Sequence, residues 1–226
     1  MRRWSSLKLL AVGFVSALSL WAPQVSSQEQ QFFDWGQGLS WYQEQAAAGN
    51  VEAQYRLAVI FERGVGIDAD LAESRRWYRA AAEQGHPTAQ FRVAGMLQSG
   101  RGGPADLTAA ARWYRAACDE GIGPACYNLA VQLERGLGVP ANPAAAASFY
   151  AVAAKSGVGT AAANLALMYL EGRGVKENRV LAASWLTLAD IAGAPGAAQA
   201  RDDLLATMSE QDRQAANAQA LEFMGN

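Results

Sequence analysis

The sequence predicts an all-α solenoid of stacked helix pairs. Three observations carry that prediction. A 36-residue repeat runs through the chain without insertions, apolar residues inside each unit fall at helical rather than alternating spacing, and turn residues recur at fixed offsets.

The repeat is visible in several columns. Gly64, Gly100, Gly136 and Gly172 are in register, as are Gly66, Gly102, Gly138 and Gly174, and Gly85, Gly121, Gly157 and Gly193. Large aromatics follow at Trp77, Trp113, Phe149 and Trp185, and small residues at Ala58, Ala94, Ala130 and Ala166. An acid or amide recurs at Asp70, Asp106, Asn142 and Asn178.

Residues 1–27 read as a secretory signal. Arg2, Arg3 and Lys8 form a charged start, residues 9–21 an apolar run, and Val25-Ser26-Ser27 a small-residue cleavage region. The run is shorter than the ~20 residues that span a bilayer, which favours cleavage over a retained anchor. The expected location is therefore exported, in the periplasm, with no stable membrane insertion after cleavage. The formal charge is −2, and without residues 1–27 it becomes −5. No basic stripe points to nucleic acid.

Residues 28–52 are expected to hold a flexible lead and an N-terminal capping helix. Trp41 and Gly49 stand 36 before Trp77 and Gly85, so residues 34–48 form a lone second helix. Residues 53–196 make four units of two helices each. In the first unit Leu57, Ile60 and Phe61 mark one helical face, and Gly64 stops the helix. Asp70 caps the second helix, with Glu73 positioned to complete a capping box. Asn142-Pro143 does the same work in the third unit. One helix pair cannot bury its own apolar stripe, so units must stack. The Trp column is expected to fill the gap between units, with Trp113→Ala costing about 3–5 kcal/mol. Residues 197–226 lack the Trp motif and are expected to cap the array, with Ser209 starting the last helix.

Ala53, Leu57, Ala58, Phe61, Gly64 and Gly66, followed by Asp70, Trp77, Tyr78, Ala80, Ala81 and Gly85, resemble the Sel1-like repeat family. The pattern recurs with drift over about residues 34–208. The Gly-x-Gly loop separates it from ordinary tetratricopeptide repeats. The resemblance implies a right-handed α-solenoid and a protein-recognition role, often as an adaptor in envelope or signalling assemblies.

Cys118 ends the second helix of unit two and Cys126 opens the first helix of unit three. An exported chain with one pair of cysteines in neighbouring helices suggests a disulfide. The cysteine-rich Sel1-like proteins bridge successive units in a similar way. Two free buried thiols are the alternative, which thiol titration of the unfolded exported protein distinguishes. Two thiols without a nearby His do not make a four-ligand zinc site.

Little else in the sequence points to chemistry, and no enzyme activity or cofactor is expected. His86, the only histidine, is placed in a solvated turn. Ser5-Ser6-Leu7-Lys8 matches a Ser-x-x-Lys pattern but lies in the signal. The Gly-x-Gly pairs lack the strand and the Lys-Ser/Thr of a phosphate loop. Glu62 and Glu134 are two units apart, too far to cooperate as acid and base.

A partner is expected on the concave face lined by the first helices. Two columns are assigned to it: Arg56, Arg92, Asn128 and Asn164, and Tyr55, Phe91, Tyr127 and Ala163. By analogy with tetratricopeptide repeats, the first column can hold a peptide backbone or carboxylate, while the aromatics either anchor a ligand or pack between helices. The expected activity is that of a monomeric protein-interaction module or adaptor of the cell envelope. The competing reading is a peptidoglycan- or β-lactam-related binding protein or weak hydrolase.

Overall fold

The computed structural model describes residues 35–225; the expected signal and lead lie outside them. Eleven α-helices run through the described residues, with no strand among them. A lone helix α1 (Trp35–Ala47) precedes four pairs. These are α2 (Val51–Arg63) with α3 (Leu71–Glu83), α4 (Pro87–Ser99) with α5 (Leu107–Asp119), α6 (Gly123–Arg135) with α7 (Pro143–Lys155), and α8 (Gly159–Glu171) with α9 (Arg179–Ile191). Two closing helices follow, α10 (Ala197–Ala206) and α11 (Glu210–Gly225). The two helices of each unit pack on each other, and each second helix packs on the first helix of the next unit, as a solenoid requires.

The boundaries follow from the turn chemistry. The first helix of each unit ends where Gly64, Gly100, Gly136 and Gly172 adopt φ between +66° and +71°. The glycine N–H bonds the carbonyl four residues back, and the next N–H bonds that same carbonyl, as Gly100 and Arg101 both donate to Met96. The second helices start where Asp70, Asp106, Asn142 and Asn178 accept N–H bonds from the first turn. The expected capping box is only half made. The Asp70 N–H already donates to the Phe61 carbonyl at 2.9 Å, so Glu73 has nothing to reach back to and pairs with Arg76 instead. The same loop-closing bond recurs from Asp106 to Leu97, Asn142 to Leu133 and Asn178 to Tyr169.

The residues between units differ from the expectation. Tyr78, Tyr114 and Tyr150 are the fully buried aromatics, at 0%, 2% and 0% exposure. Trp77, Trp113 and Phe149, each one position earlier, are half-buried, with arginines over the rings of Trp77 (Arg76) and Phe149 (Arg115). A step of one residue turns a helix by about 100°, enough to swing a side chain from the core to its rim. Trp185 alone in the column is buried, because α11 covers it: Phe223 stacks on it at 4.2 Å. The Ser184 hydroxyl adds a bond to the Ala216 carbonyl at 3.0 Å. At the other end of the described residues Trp41 is 54% exposed.

Cys118 and Cys126 lie at disulfide distance, with Cα atoms 4.8 Å apart. The repeat shows what they replace. At the equivalent seams Gln54 Nε2 donates to the Ala46 carbonyl at 3.1 Å, and Gln90 Nε2 to the Ala82 carbonyl at 3.4 Å. A bridge across so short a loop contributes about 2–3 kcal/mol in the chain-entropy picture. The variant Cys118→Ala/Cys126→Gln should therefore unfold later in denaturant than Cys118→Ala/Cys126→Ala, because it restores the neighbouring hydrogen bond.

Gln132 marks a local cost. It is 1% exposed and neither amide atom has a hydrogen-bond partner, while its equivalents are Met96 and Met168. Leaving a buried polar group unpaired costs about 1–3 kcal/mol. Gln132→Met is expected to raise the unfolding free energy by about 1–3 kcal/mol, read as a higher denaturant midpoint; a lowered midpoint would contradict this account.

Candidate functional site

The tyrosine column builds a polar network along the first helices. Tyr78 donates its hydroxyl to Glu62 Oε2 at 2.8 Å, Tyr114 to Gln98 Oε1 at 2.6 Å, and Tyr150 to Glu134 Oε2 at 2.7 Å. In each case the acceptor sits on the first helix of the same unit. The first helix of the next unit meets the same hydroxyl from the other side: Asn128 hydrogen-bonds Tyr114, Asn164 hydrogen-bonds Tyr150, and the Arg92 charge acts on Tyr78. The loop of the next unit then closes the acid. Arg101 pairs with Glu62 at 3.1 Å, and Arg173 with Glu134 and Glu171.

The residues assigned from sequence thus fall into two groups. Asn128 and Asn164, half-buried, reach the tyrosine hydroxyls of the preceding unit, while Arg92 stays exposed and acts on Tyr78 through its charge. Arg56 lies at the surface in an ion pair with Glu52 at 2.6 Å. The aromatics pack inward: Tyr55 on Tyr78, Phe91 on Tyr114 and Tyr127 on Tyr150, with ring centres 5.8, 6.0 and 5.9 Å apart. All three stay partly exposed along one edge.

His86 is not the solvated turn residue expected. Its Nδ1 accepts the Ala89 N–H at 3.1 Å and caps α4, its ring stacks on Tyr55 at 4.4 Å, and its Nε2 faces Glu52 at 3.5 Å. A cap of this kind requires an unprotonated Nδ1.

Between units three and four the network opens into a polar cleft of about 420 Å³. Glu134, Arg135, Asn164, Leu167 and Arg173 line it. Burial pushes the Glu134 carboxyl up, but hydrogen bonds from Tyr150 and Arg173 outweigh it and hold the pKa below the ordinary value of 4.5. The phenols move the other way. Burial pushes Tyr114 up to about 12, and burial plus the neighbouring carboxylates Glu62 and Glu134 lifts Tyr78 and Tyr150 beyond the usual phenol range.

A pH dependence follows. Above pH 10.0, the ordinary tyrosine value, the unfolded chain releases phenol protons that the folded chain keeps. The unfolded state then binds fewer protons, and stability falls as pH rises. Below pH 4.5 the unfolded Glu134 takes up a proton before the folded one does, so its contribution is lost as pH drops through the folded pKa. The tyrosinate absorbance that belongs to Tyr78, Tyr114 and Tyr150, isolated as the difference between the protein and its Tyr→Phe variants at those positions, should therefore rise together with loss of helical circular dichroism. A rise of that share at pH 10.0 with the helices intact would contradict the burial of these hydroxyls.

Sequence reasoning missed the tyrosines and the two loop arginines. The signal was present as correlated change: Tyr78, Tyr114 and Tyr150 become Leu186 in the last unit, where Glu62, Gln98 and Glu134 become Leu170. Donor and acceptor disappear together.

Comparison with known proteins agrees with this architecture. The Sel1 repeat family matches residues 51–86, 87–122, 123–158 and 159–189. Among solved structures, a protective antigen of uropathogenic Escherichia coli displaying an SLR fold superposes with a TM-score of 0.71 at 27% identity, over 83% of this chain and 40% of that one. A Sel1 repeat protein from Oxalobacter formigenes superposes with a TM-score of 0.66 at 30% identity, over 74% of this chain and 49% of that one. This chain thus spans less than half the length of either. No curated protein sequence matches it. With four successive repeats matched over more than half its length, the chain belongs to the Sel1 repeat family, whose members are typically protein–protein interaction modules.

Proposed function

We propose that this chain is an exported interaction module of the cell envelope that holds a protein or peptide partner along the face of its first helices. The observation that carries the reading is that Arg92, Asn128 and Asn164 stand at equivalent positions in successive units, the two asparagines hydrogen-bonded to buried tyrosines and the exposed Arg92 near enough to Tyr78 for its charge to act there. Side chains oriented in this way are ready to bond a partner without a large ordering cost. Export is supported by the charged start and apolar run of residues 1–27 and by two cysteines at disulfide distance. No helix among the described residues is long and apolar enough to cross a membrane.

A scaffold without catalytic activity fits the fate of the acids. Glu62 and Glu134 are each bound by a tyrosine and an arginine, rather than converging on one pocket as the peptidoglycan-related reading requires. The test combines Arg56→Ala, Arg92→Ala and Asn128→Ala, followed by cross-linking in the native envelope and identification of the captured protein. Capture should be lost. The melting temperature should move by only about 2–4 °C, the share of one hydrogen bond worth about 1 kcal/mol. Undiminished capture would remove the groove from consideration.

A further inference from the structure

The network repeats every two units rather than every one. Unit one carries Glu62-Arg63 and receives Arg101 from the next loop; unit three carries Glu134-Arg135 and receives Arg173. Between them, unit two carries Gln98-Ser99, and the position of Arg101 and Arg173 is taken by Leu137. The aromatics keep the same alternation, Tyr55, Phe91 and Tyr127. A scaffold built only for packing needs one unit type. Here the acid, its following arginine and the loop arginine change together.

At the first station the charge that reaches the surface is positive; at the second the exposed Glu171 also pairs with Arg173, and Arg135 is the cation left outside an ion pair among the described residues. The side chains of Glu62 and Glu134 are only 14% and 18% exposed, held under their tyrosine and arginine partners, while those of Arg101 and Arg173 are 48% and 44% exposed. Arg63 and Arg135 are exposed and make no ion pair among the described residues. Between the stations Leu137 presents an apolar side chain, 37% exposed.

We propose that the face carries two anion-binding stations at matching repeat positions, Arg63 with Arg101 and Arg135 with Arg173, that grip acidic side chains of one extended peptide, displacing the exposed Glu171 at the second, while Leu137 seats an apolar residue between them. This rests on the interaction reading above and names the chemistry of the partner. Helices about 10 Å across set successive units roughly 10 Å apart, so the stations lie about 20 Å apart. Extended chain rises ~3.3 Å per residue, which places the two acidic groups about six residues from each other. Arg173 and Asn164 also line the 420 Å³ cleft with Arg135, giving the second station room for a carboxylate.

The probe is a fluorescein-labelled glycine–serine peptide carrying two glutamate pairs about six residues apart with a leucine midway, read by fluorescence polarisation on the full chain. Arg63→Gln and Arg135→Gln should each weaken binding about tenfold, to a similar degree, and together abolish it. Leu137→Ser should weaken the leucine peptide but not one with serine in its place. The arginine substitutions touch exposed side chains, so melting curves should stay superimposable. The proposal fails if a glutamine-for-glutamate peptide binds equally well, if only one of the two arginines matters, or if heparin competes for the same arginines with no dependence on spacing. It also fails if the chain self-associates through Arg63 and Arg135 instead of taking the peptide. Should envelope capture be lost in the Arg56, Arg92 and Asn128 variant yet survive in Arg63→Gln/Arg135→Gln, the groove stands and the two stations fall.

Discussion

Tyr114→Ala is expected to lower the unfolding free energy by about 3–5 kcal/mol, the range for deleting a large buried aromatic. Tyr114 is 2% exposed, packs against Phe91, and donates its hydroxyl to Gln98. It joins units two and three, since Asn128 of the next unit meets the same hydroxyl. Its removal leaves a cavity at a junction and strands a polar partner. In a stacked array the loss falls on the coupling between neighbours, so the denaturant transition should broaden as well as shift. Trp113→Ala, one residue earlier, should cost less, about 1–2 kcal/mol, because a half-buried ring removes less surface from water. Equilibrium denaturation of the two variants side by side tests the ranking. A larger loss for Trp113→Ala would restore the expectation drawn from sequence and contradict the burial order.

Gly138→Ala should be among the most damaging loop substitutions, at about 3 kcal/mol or more. Its φ is +73°, where an L-residue pays about 1–2 kcal/mol. An added Cβ would also stand 2.4 Å from the Leu107 carbonyl carbon at the start of α5. Backbone cannot yield as a side-chain tip can, so the loop of unit three must lift off unit two. Gly157→Ala supplies the control: its φ is +86°, yet nothing lies within 4 Å of the added carbon. That variant should lose only the conformational share. Equal losses in thermal melts of the two variants would show that the close approach between units contributes nothing.

The two stability predictions divide along a line that also separates what the sequence revealed from what it concealed. The glycine, cap and aromatic columns announced helix pairs, their boundaries and their stacking, because those features are local or repeat with the chain. The placement of the buried aromatic did not follow, since Trp77 and Tyr78 are adjacent and both suit a packed helix; only the orientation of α3 against α4 selects Tyr78 for the interior. His86 was misplaced for a related reason. Its glycine-flanked setting reads as an open turn until Tyr55 and Glu52 of the preceding unit are brought to its ring.

The candidate groove was legible only in part. Arg56, Arg92, Asn128 and Asn164 could be listed as a column from spacing alone. That Asn128 and Asn164 meet a tyrosine hydroxyl, and that Arg101 and Arg173 reach back to acids 39 residues earlier, required the superhelical offset between units. Sequence alone determined the repeat, the all-helical architecture and the family, because 36-residue periodicity is a property of the chain itself. Tertiary structure alone decided which tyrosines plug the junctions, which acids lie covered and which arginines remain outside, because burial and ion pairing depend on where the neighbouring unit sits and not on position along the chain.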